Sequence, residues 1–259
     1  MHTTVAFLLA IMAAVPAHVL AATPCDYAFP SDSTIAWDCV RMEKGMTLES
    51  RFGFAWVDVA RFNRMDRRHA WPGARVRAPR DVARIAGFEP LPRHYAPADS
   101  AARFVLIDLG EQFLGAYEHG RLVHSFPIAS GRPGHETPSG RFRIDAADSR
   151  HASSLYPMEG TSIPYPMHWA LRFHCSRSGV AYWIHGRDLP GYPASHGCVG
   201  LTDESMQRRY YGRPAEPRVD DARRLFEWAV GDSTRGWKAI APIPLWIVGK
   251  APLPRTAGR

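Results

Sequence analysis

Between Phe104 and Val248 the chain is a series of short apolar runs cut by Gly- and Pro-bearing turns. Runs of five or six residues suit strands and are too short for packed helices. Residues 104–109 (Phe-Val-Leu-Ile-Asp-Leu) read as a buried strand. Residues 112–117 and 122–128 flank the turn Glu118-His119-Gly120, a hairpin signal. Residues 141–144 form another short strand. Residues 168–175 and 180–185 flank a second tight turn, Ser176-Arg177-Ser178-Gly179. Helices enter late, over residues 203–211 with Thr202 as N-cap and over residues 221–230 with Asp220 as N-cap. Residues 243–248 close as a strand. The expected class is mainly β, either a β-sandwich or a barrel-like sheet.

The composition is that of a globular protein, with 46% apolar and 22% charged residues, which excludes disorder as the main state. The formal charge is +7, yet only Lys44, Lys238 and Lys250 are lysines among 32 basic residues. A basic surface attracts anionic polymers, but no nucleic-acid motif or aromatic–basic platform accompanies the charge, so no nucleic-acid partner is expected. Residues 5–17 are apolar and are followed by Val19-Leu20-Ala21, the pattern of a cleavable export signal over residues 1–21. The expected location is therefore the periplasm, with no stable membrane span after cleavage. Export permits disulfides. Cys25 and Cys39 are close together ahead of the first structured region and are expected to pair, which leaves Cys175 and Cys198. Cys175, in a strand, is expected to be a packed thiol.

Residues 38–80 read as a small α/β unit of strand, helix, helix and strand. Thr47 caps a first helix from Leu48, a second covers residues 56–62, and Pro72-Gly73 turns the chain into a returning strand. This unit resembles a LysM module at Gly45, Thr47-Leu48, Val59-Ala60-Arg61-Phe62-Asn63, Pro72-Gly73-Ala74 and Ala78-Pro79. The resemblance implies binding of peptidoglycan glycan, with Gly45, Thr47, Asn63 and Gly73 as candidate contacts. Residues 41–93 hold twelve Arg or Lys against six Asp or Glu, so most of the net charge is expected on this face. Residues 81–102, with Pro90, Pro92 and Pro97, read as a linker to a second domain over residues 103–249.

The chemistry concentrates in His185-Gly186-Arg187-Asp188-Leu189-Pro190-Gly191-Tyr192-Pro193-Ala194-Ser195-His196-Gly197-Cys198. His185 ends a strand, and a Gly/Pro-rich loop brings the chain back to Cys198. A thiol becomes a strong nucleophile when an imidazole takes its proton. Gly197 lets the backbone turn, and the amides of Gly197 and Cys198 are candidates to hold an oxyanion. His174, Cys175, His185, His196 and Cys198 also carry donors suited to zinc. No HExxH or CxxC spacing supports that, and no metal is expected.

Residues 104–248 resemble the catalytic domain of the L,D-transpeptidases, the YkuD-type fold. The matching segments are Ile107-Asp108-Leu109, Gln112, Tyr117 and Gly120, then Phe126-Pro127-Ile128-Ala129-Ser130-Gly131 and Thr137-Pro138-Ser139-Gly140-Arg141-Phe142. Residues 167–173, Ile184-His185-Gly186 and Ser195-His196-Gly197-Cys198-Val199 complete the match. The resemblance implies a β-sandwich with a catalytic loop and peptidoglycan as the partner. Cys198 would be the nucleophile, His185 the base and later acid, and Ser195, His196 and Gly197 parts of the signature. Gly186, Arg187 and Tyr192 are expected at the substrate. The implied reaction forms a thioester with a tetrapeptide stem and passes the acyl group to an amine, on a second stem or a protein lysine, with no cofactor. Carboxypeptidase or endopeptidase action, or wall binding without catalysis, are the alternatives. The chain departs from the family at Gly200, where an Arg or Asn is usual; Arg187, Arg208 and Arg209 are candidates to replace it.

Overall fold

The computed structural model describes residues 22–231 and 236–255; the expected export signal lies outside them. In chain order these residues form β1 (Trp37–Arg41), α1 (Leu48–Phe52), α2 (Trp56–Phe62), β2 (Arg75–Pro79), β3 (Phe104–Asp108), β4 (Phe113–Glu118), β5 (Arg121–Pro127) and β6 (Gly140–Asp148). Then follow β7 (Ala152–Pro157), β8 (Pro164–Pro166), β9 (Ala170–Cys175), β10 (Ala181–Arg187), β11 (Val199–Thr202), α3 (Glu204–Tyr211), α4 (Asp221–Val230) and β12 (Trp237–Val248). The chain is mainly β, as its apolar pattern predicts. Asp203, not Thr202, caps α3: its carboxylate accepts the Met206 N–H at 2.8 Å.

Eight strands form one continuous sheet in the order β11-β10-β9-β6-β12-β3-β4-β5, rather than the two stacked sheets of a sandwich. The long strand β12 explains the difference. It pairs with β6 on one side and β3 on the other, and its register with β6 shifts between Ala239 and Ile243. Such an irregularity bends a strand and increases its twist. The sheet curls until the chain leaving β5 meets β11. There Ala129 and Gly200 exchange both backbone hydrogen bonds, at 3.0 and 2.9 Å.

The main core lies inside the curl. Val105, Ile107, Leu114, Ile144, Leu171, Ile184, Val199, Leu201 and Leu245 point into it from the sheet. Helix α4 closes it with Ala222, Leu225, Phe226 and Ala229, the spacing of a single helical face. The other face of β3 is covered as well. Phe104 and Leu106 pack with Phe113, Tyr117, Leu91 and Ala98. Burial on both faces is why residues 104–107 are apolar without alternation. The covering segment belongs to residues 81–102. It is a packed strap rather than a free linker: Leu122 N–H bonds Arg93 O and Tyr95 N–H bonds Gly120 O, at 2.9 and 2.8 Å. Its prolines are tolerated because carbonyls alone are needed, as where Tyr117 Oη donates to Pro92 O at 2.9 Å.

Residues 37–79 have the expected order of strand, helix, helix and strand, with β1 and β2 antiparallel and Thr47 capping α1. Cys25 and Cys39 are joined by a disulfide. The basic residues over 41–93 divide: Arg41, Lys44, Arg51, Arg75, Arg80, Arg84 and Arg93 are exposed, whereas Arg61, Arg64, Arg67, Arg68 and Arg77 are drawn inward. Arg64 and Arg77 have no exposed side-chain surface. Arg64 donates to Asp32 at 2.7 Å and to Glu111 at 3.2 Å, and Arg77 also pairs with Asp32. Burial pulls the Arg77 guanidinium down to about 9, although Asp32 opposes the shift. Arg61 donates to Phe88 O and Ser125 O at 2.8 and 2.7 Å. Arg67 grips Glu204 with two nitrogens, at 2.8 and 2.5 Å. Glu111, Ser125 and Glu204 belong to the large sheet, its turns and its helices, so the charge fastens the small unit to the rest.

Removing one partner from a buried ion pair leaves the other charged and desolvated. Arg64→Ala, which strands Asp32 and Glu111, should destabilise the fold by about 3–5 kcal/mol. Arg80→Ala removes only an exposed partner of Asp38 and should leave the urea midpoint unchanged. Equal midpoints for the two variants would show that the buried network is not what joins the units.

Candidate active site

The site forms where the sheet closes. Strands β10 and β11 run parallel with Ile184 opposite Val199 and His185 opposite Gly200. Ile184, Val199 and Leu201 point into the main core. Alternation then places His185 on the opposite face. Cys198, one residue before β11, shares that face one diagonal step away. The single crossing loop between the strands thus brings together the two residues that the sequence singles out.

That loop is held from both sides. On its outward leg Leu189 is fully buried, and its amide donates to Asp66 Oδ2 at 2.5 Å while its carbonyl accepts from Asp66 N at 2.9 Å. Asp66 also accepts from Gln207 Nε2 and from the His69 amide, at 2.9 and 3.0 Å. Asp66 follows α2, so the small unit shapes the loop directly. Gly191 has φ +94, and a Cβ there would lie 2.8 Å from Asn63 O and 2.5 Å from Pro24. On its return leg the amides of Ala194 and Ser195 share the Ser130 carbonyl, at 2.9 and 3.0 Å. Thr137 Oγ1 receives the Gly131 amide and donates to Gly197 O, each at 2.9 Å. The Thr137-Pro138 turn therefore fixes the residue before the cysteine.

His185 is buried, and its Nδ1 is 2.8 Å from Gly186 O. A carbonyl can only accept, so Nδ1 carries the proton and Nε2 keeps its lone pair. Burial pushes the imidazole down to about 3, with the Gly186 carbonyl opposing and the Arg187 charge assisting. Burial also pushes the Cys198 thiol up, against smaller opposing effects of the Trp183 backbone and Arg187. No hydrogen bond joins thiol and imidazole among the described residues. Both shifts favour the uncharged forms of the two groups. A low-dielectric setting disfavours charge on both groups.

The other expected residues divide. Ser195 is structural: its hydroxyl donates to Cys198 O at 2.5 Å and accepts the Gly197 amide at 3.0 Å. That bond consumes the Gly197 N–H, so the expected two-amide oxyanion site loses one donor. Gly197 has φ +109 and no room for a Cβ, which would lie 2.7 Å from Tyr182. His196 turns outward and stacks on Tyr156 of β7 with centroids 4.2 Å apart; its Nε2 accepts from Arg132 at 2.9 Å. It holds the β7–β8 hairpin, an element the sequence reading misses because its turn carries no distinctive signal. Gly186 supplies the carbonyl for His185, and a Cβ on it would strike Asp203.

Tyr192 stacks on Tyr27 with ring centroids 5.2 Å apart. It lines a cavity of about 320 Å³ with Arg41, His69, Trp71 and Gly73. Asn63, expected as a glycan contact, is fully buried. Its side chain bonds Val59 O, Arg77 O and Arg77 N at 2.8 Å each, so it braces α2 against β2. Gly45 is exposed, and Thr47 spends its hydroxyl as a helix cap. Cys175, expected to be packed, is exposed at the end of β9. Arg208 and Arg209 are exposed on α3.

Sequence reasoning also misses Asp188 and Tyr165. Tyr165 Oη donates to Asp188 at 2.7 Å, Arg68 pairs with Asp188 at 2.9 Å, and the Tyr165 ring stands edge-on to His185. Burial would raise the Asp188 carboxyl, but Arg187, His69 and Arg68 hold it well below the usual carboxylate range. These contacts join residues far apart in the chain, and no local spacing announces them.

Residues 102–240 match the family model of the YkuD L,D-transpeptidase catalytic domain. No curated protein matches the chain. Among solved structures, an L,D-transpeptidase from Xylanimonas cellulosilytica is 25% identical, with 73% of this chain and 78% of that one covered and a TM-score of 0.43. One from Stackebrandtia nassauensis is 18% identical, with coverages of 79% and 70% and a TM-score of 0.41. An LD transpeptidase in complex with imipenem is 19% identical, with 57% of this chain covered and a TM-score of 0.37. The chain spans 59% of that protein's length. The family match takes in more than half of the chain, including the strands and loop that carry His185 and Cys198, and the chain belongs to the family of YkuD L,D-transpeptidase catalytic domains.

Proposed function

We propose that this protein is a peptidoglycan L,D-transpeptidase with Cys198 as nucleophile and His185 as general base. The observation that carries the reading is a neutral, buried imidazole whose Nδ1 is tied to Gly186 O, on the same face as the thiol and one strand away. The Cys198 sulfur attacks the carbonyl of diaminopimelate in a tetrapeptide stem while His185 Nε2 takes the thiol proton. The C–S bond forms and the carbonyl electron pair moves to oxygen. The Cys198 N–H, which has no partner among the described residues, is the amide for that oxyanion. Collapse breaks the C–N bond, and D-alanine leaves with the proton from His185. An amine on a second stem or a protein lysine then attacks the thioester, gives a proton to His185 and restores the thiol. Attack by water would give a carboxypeptidase product instead.

The small unit would hold the enzyme on wall glycan and raise the local concentration of stems. Its candidate surface is the cavity beside Trp71, which is 47% exposed and offers an aromatic face next to Arg41, His69 and Gly73. The export signal and a periplasmic location complete the proposal.

Incubation with imipenem should add one acyl mass to the protein, on the Cys198 peptide, and Cys198→Ala should take none. With purified stems, mass spectrometry should find joined peptides; free tripeptide alone would assign hydrolysis. The resting protonation states give a pH signature. Because the thiol lies above its ordinary value and His185 stays neutral down to about pH 3, alkylation by iodoacetamide should climb about tenfold per unit through pH 6–8. A plateau across that range would mean a thiolate–imidazolium pair. Trp71→Ala should lower retention on isolated sacculi severalfold with an unchanged urea midpoint; full retention would remove the cavity from the glycan site.

A further inference from the structure

Arg187 stands apart from the other buried arginines. Arg61, Arg64, Arg67, Arg68 and Arg77 all pair with carboxylates or carbonyls through their terminal nitrogens. Arg187 is partly buried, yet only its Nε is bonded, donating to Asp188 O at 3.0 Å. Its terminal nitrogens make no hydrogen bond or ion pair among the described residues. A partly desolvated guanidinium left with free donors is poised for an anion that arrives from outside.

Its route is cut through Gly200. On the shared face of β10 and β11, His185 is opposite Gly200 and Arg187 is opposite Thr202. A Cβ on residue 200 would lie 2.2 Å from Cγ, 1.9 Å from Cδ and 3.1 Å from Nε of Arg187. The Arg187 stem therefore lies across Gly200, leaning toward the end of β11 where Cys198 stands. The backbone does not demand glycine here. Gly200 is absent from the residues with positive φ, and its peptide groups make ordinary bridge bonds to Ala129. Space for the neighbouring stem is what the missing side chain provides. Tyr165 and Asp188 are its stronger electrostatic neighbours, and Cys198 follows them; the guanidinium is within electrostatic reach of the thiol, and each biases the other toward its charged form.

We propose that Arg187 is a catalytic residue of this site, stabilising the negative charge that forms on and beside the Cys198 sulfur, and that Gly200 is the gap that lets it reach there. The inference deepens the transpeptidase reading by naming the cation that serves acyl transfer. It also explains how a neutral resting thiol is activated: His185 accepts the proton and Arg187 faces the charge left behind.

The test combines Arg187→Gln, Gly200→Ala and the double variant, with Arg208→Gln as the exposed control. Two rates are read, iodoacetamide alkylation and imipenem acylation of Cys198, with the urea midpoint as a check on folding. Arg187→Gln should slow alkylation at pH 7 about tenfold and acylation about a hundredfold. Gly200→Ala should do much the same by displacing the stem, and adding it to Arg187→Gln should cost nothing further in either rate, because the cation is already gone. Arg187→Ala combined with Gly200→Arg should recover part of both rates. Unchanged alkylation and acylation in folded Arg187→Gln would overturn the proposal, as would additive losses in the double variant. If the unaltered protein is alkylated but never acylated, the transpeptidase reading fails while the effect of Arg187 on the thiol is still measured.

Discussion

Two backbone hydrogen bonds between Ala129 and Gly200 close the curl of the sheet, and the site depends on that closure. They join segments seventy residues apart, and without them β11 would be a free edge. With them, the chain after β5 lies beside the return leg of the catalytic loop. Ser130, Gly131 and Thr137 then take up the amides and carbonyls of residues 194–197. The cysteine is presented from a backbone whose polar groups are nearly all spent on holding its shape. This is preorganisation in a plain sense, since little remains to reorder when substrate arrives.

The second constraint comes from the small N-terminal unit. Its basic composition suggests a surface for anionic polymers, and several of its arginines are exposed, but Arg61, Arg64, Arg67, Arg68 and Arg77 are turned inward. They meet Asp32, Glu89, Glu111, Asp188 and Glu204, several of them well buried. Pairs of this kind contribute little net stability compared with apolar packing, but they penalise misplacement strongly. Asp66 adds a geometric role, because it receives the Leu189 amide from the catalytic loop. The unit is thus part of the scaffold of the site as well as its candidate anchor to the wall.

Burial sets the chemical character of the pair. Desolvation favours the uncharged forms of both His185 and Cys198, and a thiol is a weaker nucleophile than a thiolate. The same low-dielectric setting strengthens the field of any cation left unpaired nearby. Arg187, whose terminal nitrogens make no hydrogen bond among the described residues, is the cation proposed for that role, and its stem occupies the space that a side chain at 200 would need.

The sequence by itself determined the strand-rich class, the helix over residues 221–230 and the order of elements in the small unit, and it singled out Cys198 and His185 as candidates. Those features rest on periodicity, capping residues and a compact motif, all local properties of the chain. It did not reveal the single curled sheet, the packed strap over residues 81–102, the burial of Asn63 or the outward turn of His196. Those depend on which distant surfaces meet. Arg187 shows the limit well: its stem crosses Gly200 because two parallel strands are in one particular register. A one-residue slip would turn that side chain to the opposite face, and no local pattern reports such a register.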